Sequence, residues 1–293
     1  MEHIHLQIED PNPGSLDEEI ARLVESAIQA TPIDSADDTA SALDSLYIQY
    51  MTHWPEREPE GFLLHFWELL YIFASQIPHD DPAQDKLVDV LKELTRLPSR
   101  TIVVWSEECQ LWSDMPLFAA EFPANWEVFG SELPIEVRKQ KVLNMHAYAA
   151  RILRQRLAAL EHQAIWALSE AVEGAIVPVR GRPDIVSQHP TAVVDLPYKT
   201  ALAAMWVIHA GHVLFGRDEV IERTAGGPLW VLPKKEAHGL RIKYRGTQGL
   251  CRERWKLWKN QFCAIRDCEE VEADTRNVAR RAVLAMERAE EER

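Results

Sequence analysis

Apolar side chains recur along this chain at spacings of three and four, the period of an amphipathic helix. Ile20, Leu23, Val24, Ala27 and Ile28 form the first such face. Ser15-Leu16-Asp17-Glu18 opens it with capping-box spacing, and Thr31-Pro32 closes it. Ser35 and Asp38 open a second helix, with Ala40, Leu43, Leu46, Tyr47 and Tyr50 on one side. After Pro55 and Pro59, the segment from Phe62 to Ile77 is apolar nearly all round, which predicts a central, buried helix. Its run Leu63–Ile77 contains His65, Glu68 and Gln76 and is shorter than the roughly 18 residues of a membrane span. Asp81-Pro82 followed by Gln84 predicts an N-cap, a first-turn proline and a completed box ahead of Leu87, Val88, Leu91 and Leu94.

Periodicity weakens over 99–133, where Thr101–Trp105 suits a short strand or a helix start equally. Pro134 begins a long helix carrying Val137, Val142, Met145, Tyr148, Ala149, Ile152 and Leu153, which continues or breaks near Leu160. Ile165, Leu168, Ala171 and Val172 extend the pattern to about Gly174. Pro178, Pro183, Pro190 and Pro197 make 177–197 a linker or surface loop. A helix from about Tyr198 to Phe215 follows. Five glycines and two prolines then mark 224–250 as a long loop, with a hairpin around Trp230 to Tyr244. Arg252 to about Cys268, and about Glu270 to the end, read as two final helices. The fold class is all-α: a single irregular array of about nine helices with one long Gly/Pro-containing loop. Residues 1–58 form acidic helices in the same domain as the main helical part, 59–293.

Composition adds little to this picture: 46% hydrophobic and 27% charged is ordinary for a globular chain of 293 residues. Charge adds more. The net charge of −14 disfavours a general nucleic-acid or membrane-surface binder. Residues 1–60 hold 14 acidic and 2 basic side chains, whereas nine basic residues crowd into 234–259 against Glu236 and Glu253 alone. Either the acidic helices neutralise that segment, or both are solvated, or the segment forms a basic pocket for an anionic ligand or acidic partner. The start lacks a secretory signal, and the four cysteines read as free thiols, so the cytosol is expected, with the nucleus open.

Few residues carry a chemical signature. His209 and His212 lie three apart on one helix, a metal-capable spacing without an adjacent acid or third ligand, so they read as packing or surface histidines. No dinucleotide fingerprint, P-loop or nucleophile elbow occurs, and no cofactor or metal is implied. The most distinctive stretch is Arg254-Trp255-Lys256-Leu257-Trp258-Lys259. Its bland interpretation is two core tryptophans with cations reaching to water. Its functional interpretation is a cation-and-aromatic wall beside the glycine-rich loop. Lys243 and Arg245 of that loop, with His146, Tyr148, Arg151, His209 and His212, would complete the ligand-binding wall.

The combination of motifs resembles a family of fungal helical proteins designated domain of unknown function 3632. The resemblance rests on Phe66-Trp67 and Ser75-Gln76-Ile77-Pro78, on Gln84-Asp85-Lys86-Leu87, and on Leu143-Asn144-Met145-His146-Ala147-Tyr148-Ala149-Ala150-Arg151. The helix around Ala204 to Gly211, Gly226-Gly227-Pro228-Leu229 and Glu253 to Lys259 complete it, over roughly residues 55–290. It implies a helical domain, a fungal origin and a loose connection with secondary-metabolite genes, and it brings no catalytic residues. These features favour a non-catalytic binding or interaction protein. The alternative is an accessory enzyme or carrier for a small anionic or aromatic metabolite, and a nucleic-acid-associated regulator ranks third.

Overall fold

Helix α3 (Pro59–Gln76) is the buried centre of the first of two compact units, residues 1–159 and 160–293. The computed structural model describes residues 4–10, 12–30, 35–54, 56–119, 133–178, 184–230 and 248–292. Around α3 stand α1 (Ser15–Gln29), α2 (Ser35–His53), α4 (Ala83–Arg96) and α5 (Ile135–Arg154), with a hairpin of β1 (Thr101–Val104) and β2 (Glu107–Gln110). The all-round apolar pattern of α3 has the consequence expected of it: Phe62, Leu63, Phe66, Trp67, Leu70 and Phe73 are all buried. Trp112 meets Tyr47, Phe66 and Trp67 edge-on, at centroid distances of 6.0, 5.5 and 6.1 Å. The buried indoles of Trp67 and Trp112 each find an acceptor for their N–H, as such rings require. Trp67 donates to the Pro116 carbonyl and Trp112 to Asp44, which also binds Arg100.

Two helix starts differ in detail from the sequence pattern. The N-cap of α1 is Gly14, whose N–H is taken by the Asp17 carboxylate at 3.0 Å, so the box sits one residue earlier than Ser15–Glu18. At α4, Asp81 does accept the Ala83 N–H at 2.8 Å, but Gln84 closes no box. Its amide is buried and donates to the carbonyls of Ala74, Ile77 and Asn144, the first two at the C-terminal end of α3. Thr101–Val104 is a strand, paired antiparallel from Thr101↔Gln110 to Val104↔Glu107. The two-residue turn at Trp105 and Ser106 has positive φ at both positions (49° and 70°), the backbone that matches strand twist in a tight hairpin.

The second unit contains α6 (Glu161–Val172), α7 (Leu196–Leu214), α8 (Arg252–Asp267) and α9 (Ala273–Glu291). The long helix from Pro134 therefore breaks, with Arg156 at φ 55° between α5 and α6. The proline-rich stretch carries more structure than a loop: β3 (Ala175–Val177) pairs with β4 (Ile185–Ser187), and a 3-10 turn follows at Pro190–Ala192. Helix α7 packs against α9 and α6, and α8 against α9. Trp255 lies at that junction, 5.3 Å from the Phe215 ring and donating its N–H to Glu290 at 2.9 Å. The expected hairpin around Trp230 to Tyr244 falls mostly on 231–247, outside the described residues, as do Lys243 and Arg245. With nine α-helices and two small two-stranded sheets among the described residues, the fold is all-α. No described helix is long and apolar enough to cross a membrane.

Candidate functional site

Helix α6 ends in a glutamate enclosed by apolar neighbours. Glu173 follows Ala171 and Val172, and its side chain is wholly buried. Arg254, on the first turn of α8, is equally buried and bonds it through Nε–Oε1 at 2.7 Å and Nη2–Oε2 at 3.3 Å. A buried ion pair persists only where the remaining hydrogen-bonding positions are filled, and here they all are. Arg254 Nη1 donates to the carbonyls of Thr224 (3.0 Å) and Gly249 (2.8 Å), and Nη2 also donates to Ser169 Oγ (3.0 Å). All five guanidinium donors are thereby engaged. Glu173 accepts in addition the Trp258 indole N–H at 2.6 Å and the Gly227 N–H at 2.5 Å. The Arg254 guanidinium lies 5.4 Å from the ring centroids of both Trp230 and Trp258.

The turn Gly226-Gly227-Pro228 closes over this pair and depends on lacking side chains. Gly226 has φ 100°, and a Cβ there would stand 2.6 Å from Glu173 Oε2 and 2.7 Å from Arg254 Nη2. Gly249, at φ 88°, is tighter still: a Cβ there would stand 1.9 Å from the Glu219 carbonyl oxygen, and its N–H is held by Thr224 Oγ1. The glycine-rich loop is thus drawn onto α6 and α8 by main-chain contacts with one salt bridge.

On the outer side of the turn lies an open groove of about 580 Å³. Its lining includes Trp166, Ser169 and Glu170 of α6, Ile176 of β3, Val194 and Lys199 at the start of α7, and Arg223. The Trp166 indole is 40% exposed and donates its N–H to the Arg223 carbonyl at 3.0 Å. That bond holds the ring where it lines the groove.

The residues singled out in the sequence fall in both units. Arg254 and Trp258 come together on Glu173, with no guanidinium donor left for a ligand. Trp255 turns instead to Glu290, which also binds Lys259 at 2.6 Å. His209 is half-buried and His212 exposed on α7. Tyr148 and Arg151 belong to the first unit, where both are buried. Arg151 donates to the carbonyls of Ala147 and His79 and lies 3.3 Å from Asp85. Burial raises the Tyr148 phenol and lowers the neighbouring His146 imidazole to about 3, so both stay neutral near neutral pH. Sequence reasoning missed Glu173, Trp166, Lys199 and Arg223. Only Glu173 left a trace, as a single acid in the apolar run from Ala171 to Val177.

No curated protein and no solved structure matches the chain. The family described as "Protein of unknown function (DUF3632)" matches residues 67–262, from Trp67 on α3 to Phe262 on α8. That match takes in Glu173, Arg254, both glycine turns and every groove residue named above, and it covers more than half of the chain, which belongs to this family.

Proposed function

We propose that this chain is a non-catalytic binding protein of the cytosol. The saturated Arg254–Glu173 network carries the reading. It is the most deeply buried ion pair among the described residues, and its donors and acceptors are all committed to the fold. A general acid, base or anion hole requires a proton or lone pair left over for the substrate. The cluster instead serves as the anchor of a loop, which is how a scaffold holds a binding surface in place.

The test incubates the full chain with a small-molecule extract and follows both by mass spectrometry. Retention of one component on the native protein, with no component changing mass over hours, is expected. Time-dependent conversion of any component, abolished by a point substitution that leaves the fold intact, would overturn the proposal.

A further inference from the structure

The geometry points to the groove over the Gly226-Gly227-Pro228 turn as a binding site for a small planar aromatic anion, a carboxylate on one or two fused rings. This deepens the binding reading above and rests on it. At about 580 Å³ the groove has the capacity of a small-molecule site. One wall is the pinned, exposed Trp166 ring, which offers a flat apolar face at no cost in ring freedom. Ile176 and Val194 are 59% and 80% exposed, apolar surface that a ring would cover.

The polar lining selects the charge. Lys199 and Arg223 both line the groove, and neither forms an ion pair among the described residues. Glu170 is the one acid among the lining residues, so the wall is cationic by one charge. An arginine fork matches a carboxylate with two parallel hydrogen bonds. Ser169 adds a donor. Its oxygen already accepts from Arg254, and its own hydrogen reaches no described acceptor. Arg223 also sits at φ 61°, a backbone region uncommon for a residue other than glycine. Its carbonyl holds Trp166 while its side chain lines the same groove, so ring wall and cation are positioned together.

Isothermal titration calorimetry on the full chain tests this with 2-naphthoate, against neutral 2-naphthamide and non-aromatic cyclohexanecarboxylate. Saturable one-to-one binding of 2-naphthoate is expected, with both comparison compounds at least tenfold weaker. Lys199→Gln and Arg223→Asn should each weaken 2-naphthoate about five- to tenfold, and Trp166→Leu at least fivefold, with thermal midpoints unchanged. The absence of saturable binding would overturn the site, as would equal affinity for the amide or full affinity in the Lys199→Gln/Arg223→Asn double variant. The wild-type comparison of acid with amide stands even if a variant fails to fold. Failure to bind removes the groove alone. Chemical conversion of the bound probe would support the groove and remove the non-catalytic reading.

Discussion

Arg254 Nε lies 2.7 Å from Glu173 Oε1, although the two residues are 81 positions apart and both side chains are wholly buried. Each charge tolerates burial because the other is present and every remaining position is hydrogen-bonded. Removing one partner strands the other without water. Glu173→Gln keeps the shape and loses the charge, so it should cost about 3–5 kcal/mol, the usual range for a broken buried pair. Arg254→Met should cost a similar amount. The double variant Glu173→Gln/Arg254→Met should cost clearly less than the sum, because no charge is then left unpaired. Urea unfolding at neutral pH measures all of these, and a Glu173→Gln loss under about 1 kcal/mol would show that the pair does not anchor the loop.

The closure of the glycine turn predicts a sharp contrast between two glycines. A Cβ at Gly226 meets Glu173 Oε2 at 2.6 Å with φ at 100°, whereas a Cβ at Gly14 meets nothing closer than Asp17 Oδ2 at 3.6 Å. Gly226→Ala should lose at least the ~1–3 kcal/mol of a strained backbone position, and more if the salt bridge shifts. Its thermal midpoint should fall by several degrees. Gly14→Ala should stay within about 2 kcal/mol, the range of a helix-cap change. Equal midpoints for the two variants would mean that the turn is free to move off Glu173.

His146 gives the first unit an acid-sensitive component. Burial lowers its imidazole from 6.5 to about 3, so the folded protein holds it neutral while the unfolded chain protonates it below pH 6.5. The unfolded state then binds the extra proton, and stability falls as pH drops from about 6.5 towards 3. Each pKa unit corresponds to about 1.4 kcal/mol, so the effect amounts to several kcal/mol. His146→Gln should be less stable than wild type at pH 7.5 but should flatten the slope between pH 6.5 and 4.5. Urea midpoints at those three values decide it, and parallel slopes would assign the acid sensitivity to carboxylates.

Legibility in the sequence followed the range of the interaction. The faces of α1, α3 and α4 could be read directly because helical period is local, and Phe62 to Ile77 could be placed at a centre because it lacks a polar side. Thr101–Val104 stayed ambiguous because four residues are too few to separate strand from helix. Its turn residues, Trp105 and Ser106, are not the Asn-Gly pair that would announce a hairpin. The start of α1 slipped by one because Gly14 and Ser15 both suit an N-cap, and the deciding contact is Asp17 to the Gly14 N–H. Glu173 and Arg254 could not be paired, since nothing local marks a partner 81 residues away. The groove was invisible for the same reason: Trp166, Lys199 and Arg223 come from three separate segments and share no motif.

The extended segment before α1 is held by side chains that read its main chain. Gln76 accepts the Gln7 N–H and donates to the Gln7 carbonyl, both at 2.7 Å, as a neighbouring strand would. Gln29 donates to the Ile4 carbonyl, Glu25 accepts the Leu6 N–H at 3.0 Å, and the Leu6 side chain is buried. Gln76→Ala removes both bonds to Gln7, each worth about 0.5–1.5 kcal/mol. Hydrogen exchange at the Gln7 amide should accelerate about tenfold or more, while amides in the middle of α3 keep their wild-type rates. Glu25 adds a pH dependence. Burial pushes its carboxyl up, but the Leu6 N–H, His5 and Gln29 together outweigh that and hold it below 4.5. A depressed folded pKa means that the contact is fully present above the unfolded value and is lost as pH falls through the folded one. Acidification below pH 4.5 should therefore loosen Leu6 in wild type and leave a Glu25→Gln variant unchanged over the same interval. Unchanged Gln7 exchange in Gln76→Ala would show that Leu6 burial alone holds the segment.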